Sequence, residues 1–278
     1  MARMKTGDHT FLRRALAGDP FAELKAVDMH CHLRWHNGYF FTGGNIDDML
    51  ADADLVGVDK LCIVSHAAMG VDFEWGNTHT AEAVARHPDR CMGYVCLNPF
   101  KVEESKAEID KYYATPGFVG VKIHPSFQGY PVNGPAYHEL FRYLSGRGGV
   151  MLVHTWDDCP FGSMDMNENI MKQYPDITFM MAHDGGIPSG VRKAIAMVNK
   201  YPHIYMDTCG FDHLEYALPQ IVDALDDTSK LLYGSDIPFH DIRYATSHIL
   251  TADLTDQEKT AIMRDNITAL MAKSPVKG

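Results

Sequence analysis

Six cysteines are present (Cys31, Cys62, Cys91, Cys96, Cys159 and Cys209), but no two form a C-x-x-C pair. That excludes a zinc ribbon and a thioredoxin-like redox motif. No apolar run reaches the ~18 residues that read as a membrane-spanning helix. The first twenty residues, MARMKTGDHTFLRRALAGDP, lack the apolar stretch and the small-residue cleavage site of a secretory leader. Positive charge is scarce: 25 Lys and Arg stand against 36 Asp and Glu, a net charge of -11, with no basic stripe. A nucleic-acid partner is therefore not expected, and an anionic substrate would need local cations in its pocket. No G-x-S-x-G nucleophile elbow occurs. There is no Pro/Gly/Ser-rich linker, low-complexity stretch or change of composition along the chain. The expectation is a cytoplasmic protein forming one domain over residues 1–278, with neither membrane nor nucleic acid as partner. A homo-oligomer is possible on general grounds alone.

What the chain does contain is a rhythm. Eight short apolar runs recur: AVDMHCHL (26–33), KLCIVSH (60–66), CMGYVCLN (91–98), VGVKIHP (119–125), GVMLVHT (149–155), ITFMMAH (177–183), IYMDTCG (204–210) and LLYGSDIP (231–238). Nearly continuous Val, Ile, Leu, Met and Tyr is what a strand buried on both faces looks like. Between the runs lie segments with helix stop signals: 81–87, 102–114, 136–148, 167–174, 187–200, 212–225 and 256–273. Pro219 inside the sixth of these is expected to kink or break it. Strands alternating with helices imply a parallel sheet. Eight such units suggest closure into a (β/α)8 barrel with its core over about 26–270, an open doubly wound sheet being the alternative.

Polar residues gather where the runs end. Run one ends in Asp28-Met-His30-Cys-His32, run two in His66, run four in Lys122-Ile-His124, run five in His154, run six in His183 and run eight in Asp236. In a barrel the C-terminal strand ends share one mouth, where active sites of this fold are built. Residues i and i+2 of a strand share a face, so His30 and His32 project together, as do Lys122 and His124. Two imidazoles from one strand make half of a metal site. Asp28, deeper in the strand, is placed to touch a ligand from behind, and His66 is a lesser candidate ligand at the end of strand two. The loop RWHNGYFFTGGN (34–45), Trp156, Asp157, Phe239 and His240 are candidate pocket neighbours by position.

On D-M-H-C-H (28–32), G-V-K-I-H-P (120–125), L-V-H-T (152–155), M-A-H-D-G-G (181–186), Y-G-S-D-I-P-F (233–239) and R-D-N-I-T-A-L (264–270), the chain resembles the amidohydrolase superfamily. More narrowly, it resembles the amidohydrolase-2 group that includes aminocarboxymuconate-semialdehyde decarboxylase. The resemblance implies metal ligands at His30, His32, His154 and Asp236. Asp236 would also take a proton from metal-bound water, and His183 would be the acid/base or polarising residue. The expected metal is one zinc ion, with manganese, iron or cobalt as options and a second ion open. Two-metal members of the superfamily carry a bridging carboxylated lysine on strand four, and K-I-H-P resembles that segment. The decarboxylase branch lacks this lysine and binds one metal. Lys122 is thus a candidate bridge or an anchor for a substrate carboxylate, and His124 a candidate contact to either. The first functional expectation is hydrolysis of an amide, ester or lactone of a small molecule by metal-activated water. The alternative is non-oxidative decarboxylation of a small carboxylic acid, and the third reading a non-catalytic barrel subunit.

Overall fold

The computed structural model describes residues 7–33, 44–70, 72–210 and 217–273. The apolar runs become strands β1 (Ala26–Leu33), β2 (Val58–Ser65), β3 (Cys91–Cys96), β4 (Phe118–Ile123), β5 (Val150–His154), β6 (Thr178–Ala182), β7 (Ile204–Asp207) and β8 (Leu231–Leu232). They form one eight-stranded sheet in sequential order, with every neighbouring pair parallel. β8 returns to β1 through backbone hydrogen bonds from Met29 N to Tyr233 O (2.9 Å), His32 N to Ile237 O (2.7 Å) and Asp236 N to His30 O (2.8 Å). The expected (β/α)8 barrel is what forms.

Two apolar layers hold it. Met29, Cys62, Tyr94, Val119, Leu152, Met180 and Leu232 belong to an inner cluster, with Ile267 of the C-terminal helix packed among them. Cys31, Ile63, Val95, Val121, Val153 and Met181 belong to the outer cluster shared with the helices. Apolar side chains on both faces explain why the runs show no polar alternation. In β1 the register against β2 slips between Asp28 and Cys31. Met29 faces the inner cluster and Cys31 the outer one, so the irregularity re-aims the strand just before the two histidines.

The helices depart from expectation in places. The segment expected at 81–87 is a helix over Phe73–Arg86, started earlier because the Asp72 side chain accepts the Trp75 backbone N–H. Thr10–Ala17, Ile46–Leu55 and Ile242–Thr251 are helices that the sequence reading did not anticipate. Ala217–Ala224 is helical through Pro219, and residues 212–216 of the segment expected there lie outside the described residues. The expected terminal helix forms, with a π turn at Ala261–Asp265 between Asp256–Thr260 and Asn266–Lys273. No helix among the described residues is long and apolar enough to cross a membrane.

Candidate active site

Of the polar residues singled out at strand ends, all but Asp28 and His30 line the same mouth of the barrel. A cavity of about 340 Å³ there is lined by His32, His66, Lys122, His124, His154, Trp156, His183, Asp236, Phe239 and His240, among others. Local backbone strain marks the place. His183 (φ 65°), Asp184 (φ 49°) and Asp236 (φ 59°) adopt left-handed conformations that non-glycine residues seldom hold. Such strain persists where the surrounding fold over-determines it, commonly at functional positions.

The tightest constellation is His30, His32 and Asp236, whose ligand atoms all lie within 4.8 Å of one another. His30 Nε2 is 3.1 Å from His32 Nε2. Asp236 Oδ1 is 3.5 Å from the first and 3.1 Å from the second. Two ligands of one ion at the usual ~2.0–2.1 Å stand about 2.9–3.4 Å apart in octahedral or tetrahedral geometry. The three spacings are close to the edges of such a polyhedron. His30 Nδ1 already faces the Asp207 carboxylate at 2.8 Å, so a neutral His30 that donates there turns a bare lone pair toward the other two atoms. The donor set therefore fits a divalent cation. Burial also pushes the His30 imidazole well below its ordinary pKa, with the nearby Lys122 ammonium adding to the effect; this keeps the ring in the neutral form that binds metal.

His154 stands beside this trio, outside the tight group. Its ring stacks on His124, with centroids 3.7 Å apart and planes inclined by 14°. It meets His183 edge-on at 4.8 Å. His154 Nδ1 is buried and has no hydrogen-bond partner among the described residues. His124 in turn stacks on Phe127 at 3.9 Å, and the Phe127 backbone N–H donates to His124 Nδ1 at 3.3 Å. The proton of a neutral His124 then resides on Nε2. Lys122 is fully buried, with Nζ 3.2 Å from His30 Nε2. Burial lowers its pKa, opposed by the charge of Asp236. His183 is pushed down to about 4, first by burial, with the charge of Asp236 opposing the shift.

Other positions sort clearly. His66, a lesser candidate ligand from its strand end, stacks on His32 at 4.4 Å and lines the cavity. Trp156, Phe239 and His240 do line it. Asp157 instead accepts Ser189 Oγ at 2.9 Å and Lys193 Nζ at 3.0 Å. Asp28 supports His30 through its backbone: its Oδ1 accepts the N–H of His30 at 3.0 Å and of Ser235 at 3.1 Å. The carboxylate on the His30 ring is Asp207, at the end of β7, which the sequence reading passed over. The signal was available, because D-T-C ends run seven as polar residues end the others. Of the loop after β1, residues 34–43 lie outside the described residues.

This fold and site can be set against known proteins. The family model described as amidohydrolase, of the amidohydrolase-2 group, matches residues 27–271. The chain belongs to the amidohydrolase-2 family. Comparison with curated proteins finds no match. Among solved structures, 5-carboxyvanillate decarboxylase from Novosphingobium aromaticivorans, complexed with manganese and 4-hydroxy-3-methoxy-5-nitrobenzoic acid, is similar with a TM-score of 0.66 and 16% identity, covering 80% of this chain and 79% of that one. The 2,6-dihydroxybenzoate decarboxylase from Rhizobium has a TM-score of 0.67 and 15% identity, with 88% and 97% covered. A putative amidohydrolase from Staphylococcus aureus has a TM-score of 0.71 and 14% identity, with 89% and 99% covered. At such identities the likeness is one of fold.

Proposed function

We propose that the chain is a metal-dependent, non-oxidative decarboxylase of a small planar carboxylic acid. The observation that carries this reading is the make-up of the cavity. His32, Asp236 and Lys122 line it, with His30 Nε2 3.1 Å from His32 Nε2 and 3.2 Å from the Lys122 amine. Its walls include the flat side chains of His66, Phe127, Trp156 and Phe239. A flat anion suits such a slot: rings take its faces, and buried positive charge takes its carboxylate. Two structural neighbours, which act on carboxyvanillate and dihydroxybenzoate, support decarboxylation over the hydrolysis first expected from the sequence. With every implied ligand position filled, a non-catalytic barrel is the weaker reading.

In this proposal His30, His32, His154 and Asp236 hold one divalent ion. Three imidazoles and a carboxylate suit zinc, and the manganese in the carboxyvanillate decarboxylase makes that ion an equal candidate here. When bound, the ion supplies positive charge opposite the substrate carboxylate. Lys122 adds a second cation, and His124 offers its Nε2 proton to a substrate oxygen. Loss of carbon dioxide from R–COO⁻ leaves an electron pair on carbon, which takes one proton to give R–H. His183 and Asp236, both facing the cavity, are the groups placed to deliver it.

Lys122 also sustains the second reading, since its place at the end of β4 is where two-metal hydrolases carry a bridging lysine. The test is a panel of aromatic and unsaturated carboxylic acids, including 5-carboxyvanillate and 2,6-dihydroxybenzoate, alongside esters and lactones, with zinc or manganese. Release of carbon dioxide with one ion per chain is expected. Lys122→Met should lower kcat/KM about 30-fold or more, since losing a partner of a buried charge costs about 2–5 kcal/mol. Ester or lactone hydrolysis with two ions per chain, and no carbon dioxide, would establish the hydrolase instead.

A further inference from the structure

The end of β7 carries a group that neither the expected ligand set nor the proposed reaction uses. Asp207 is fully buried, yet each of its carboxylate oxygens is engaged. Oδ2 lies 2.8 Å from His30 Nδ1. Oδ1 accepts the backbone N–H of His183 at 3.1 Å and of Cys209 at 3.2 Å. The Cys209 thiol sits in the same knot, 3.1 Å from His30 Nδ1 and 3.2 Å from His183 Nδ1. Space for the knot is kept by a glycine: a Cβ at Gly234 would come within 2.9 Å of His30 Cβ and 3.1 Å of Asp207 Oδ2.

We infer that Asp207 is a positioning residue that couples the metal ligand His30 to His183. One oxygen holds the His30 ring with its proton on Nδ1 and its Nε2 lone pair toward the ion, and the other pins the backbone from which His183 projects. This rests on the proposed metal site. A carboxylate meets the demand because both oxygens accept. An asparagine cannot. If its oxygen faces His30, its NH2 points at the backbone N–H groups of His183 and Cys209. If its NH2 faces His30, the ring must accept at Nδ1 and carry its proton on Nε2, where the ion belongs. A carboxylate behind a metal-bound imidazole generally fixes the tautomer and makes the ligand more basic. Here the same group also reaches His183, whose left-handed backbone (φ 65°) needs an external hold. His30, His183 and Cys209 also each offer a ligand atom within 4.8 Å of the others. The 2.8 Å contact from Asp207 to His30 Nδ1 makes this group a hydrogen-bonded support for the ligand.

The experiment compares the full chain with its Asp207→Asn and Cys209→Ala variants, titrating zinc alone against a chelating indicator and recording the histidine ring ¹⁵N spectrum of the zinc-loaded protein. In the wild type His30 should be protonated on Nδ1. Asp207→Asn should bind zinc about 10–100-fold more weakly and lose that Nδ1 signal, while Cys209→Ala keeps it. Zinc affinity within twofold of wild type and an unchanged His30 tautomer in Asp207→Asn would overturn the inference. Should that variant fail to fold, the wild-type spectrum still decides: a His30 proton on Nε2 overturns it. A second zinc ion lost in Cys209→Ala would likewise overturn it, making the knot an ion site. A wild type that binds no ion would remove the metal reading itself, a result distinct from a wild type that binds and an Asp207→Asn that binds equally well.

Discussion

His30 Nε2 and His32 Nε2 face each other across 3.1 Å, with Asp236 Oδ1 3.1 Å from the second. Acceptor lone pairs brought this close in a buried site repel unless a positive charge lies between them. Lys122 Nζ supplies one from the side of His30, at 3.2 Å, and an ion would supply more. An ion that binds only the folded chain adds about 2.7 kcal/mol of stability at a hundredfold excess over its Kd. Chelation should therefore lower the melting temperature by several degrees, and added zinc or manganese should restore it. His32→Ala should melt at one temperature with or without metal. Scanning calorimetry checks this, and a wild type whose melting ignores both chelator and metal would refute the metal site.

Gly210 adopts φ 87°, and a Cβ there would lie 2.7 Å from His183 Cβ. Alanine at this position is strained by its backbone and pushes directly on His183. Because a displacement of about 1 Å at a reacting group can cost on the order of a hundredfold in rate, Gly210→Ala should cut kcat by about that factor while metal content stays at the wild-type level. Elemental analysis beside steady-state kinetics separates the two effects. Unchanged kcat in a folded variant would mean that His183 does not act where it stands.

The metal-free protein should also lose stability as the solution is acidified. Burial holds His183 down to about 4 and keeps His30, His124 and His154 well below the ordinary value. In the unfolded chain these rings take protons near pH 6.5. The unfolded state therefore binds more protons through the window from about 6.5 downward, so stability is fully present above it and falls with pH toward about 4. His183 alone contributes a loss on the order of 3 kcal/mol across that window. Burial raises Asp28 to about 6, Asp207 to about 7 and Asp184 well above its ordinary value; these carboxyls take protons first in the folded state and offset much of the loss. Urea midpoints of chelated protein at pH 7 and pH 5 test the net sign, and a midpoint that rises on acidification would contradict it.

The strand ladder was readable because both faces of every barrel strand are apolar, so eight short runs stand out against the helices between them. The mouth was readable for a related reason. His30, His32, Lys122, His154, His183 and Asp236 are polar groups set against apolar runs, and a buried polar group is costly without a partner. Less was visible where neighbours decide. Asp28, expected to touch a ligand from behind, does reach His30, but which of its atoms it meets, the backbone N–H, is decided by the fold. That the His66 ring stacks on His32 at the cavity is decided by the packing of β2 beside β1. Thr10–Ala17 does carry an apolar stripe, with Phe11 and Ala15 packed against the core, and the sequence reading passed over it.

The order of apolar runs and the residue types at their ends are properties of the chain, because hydrophobic burial acts on composition and period before any contact exists. The pairing of Asp207 with His30, 177 positions apart, is not. Neither are the close approach of Gly210 to His183 and the stacking of His124 on His154. The first depends on closing β7 and β8 back toward β1, and the other two on the pairing of neighbouring strands, β6 with β7 and β4 with β5.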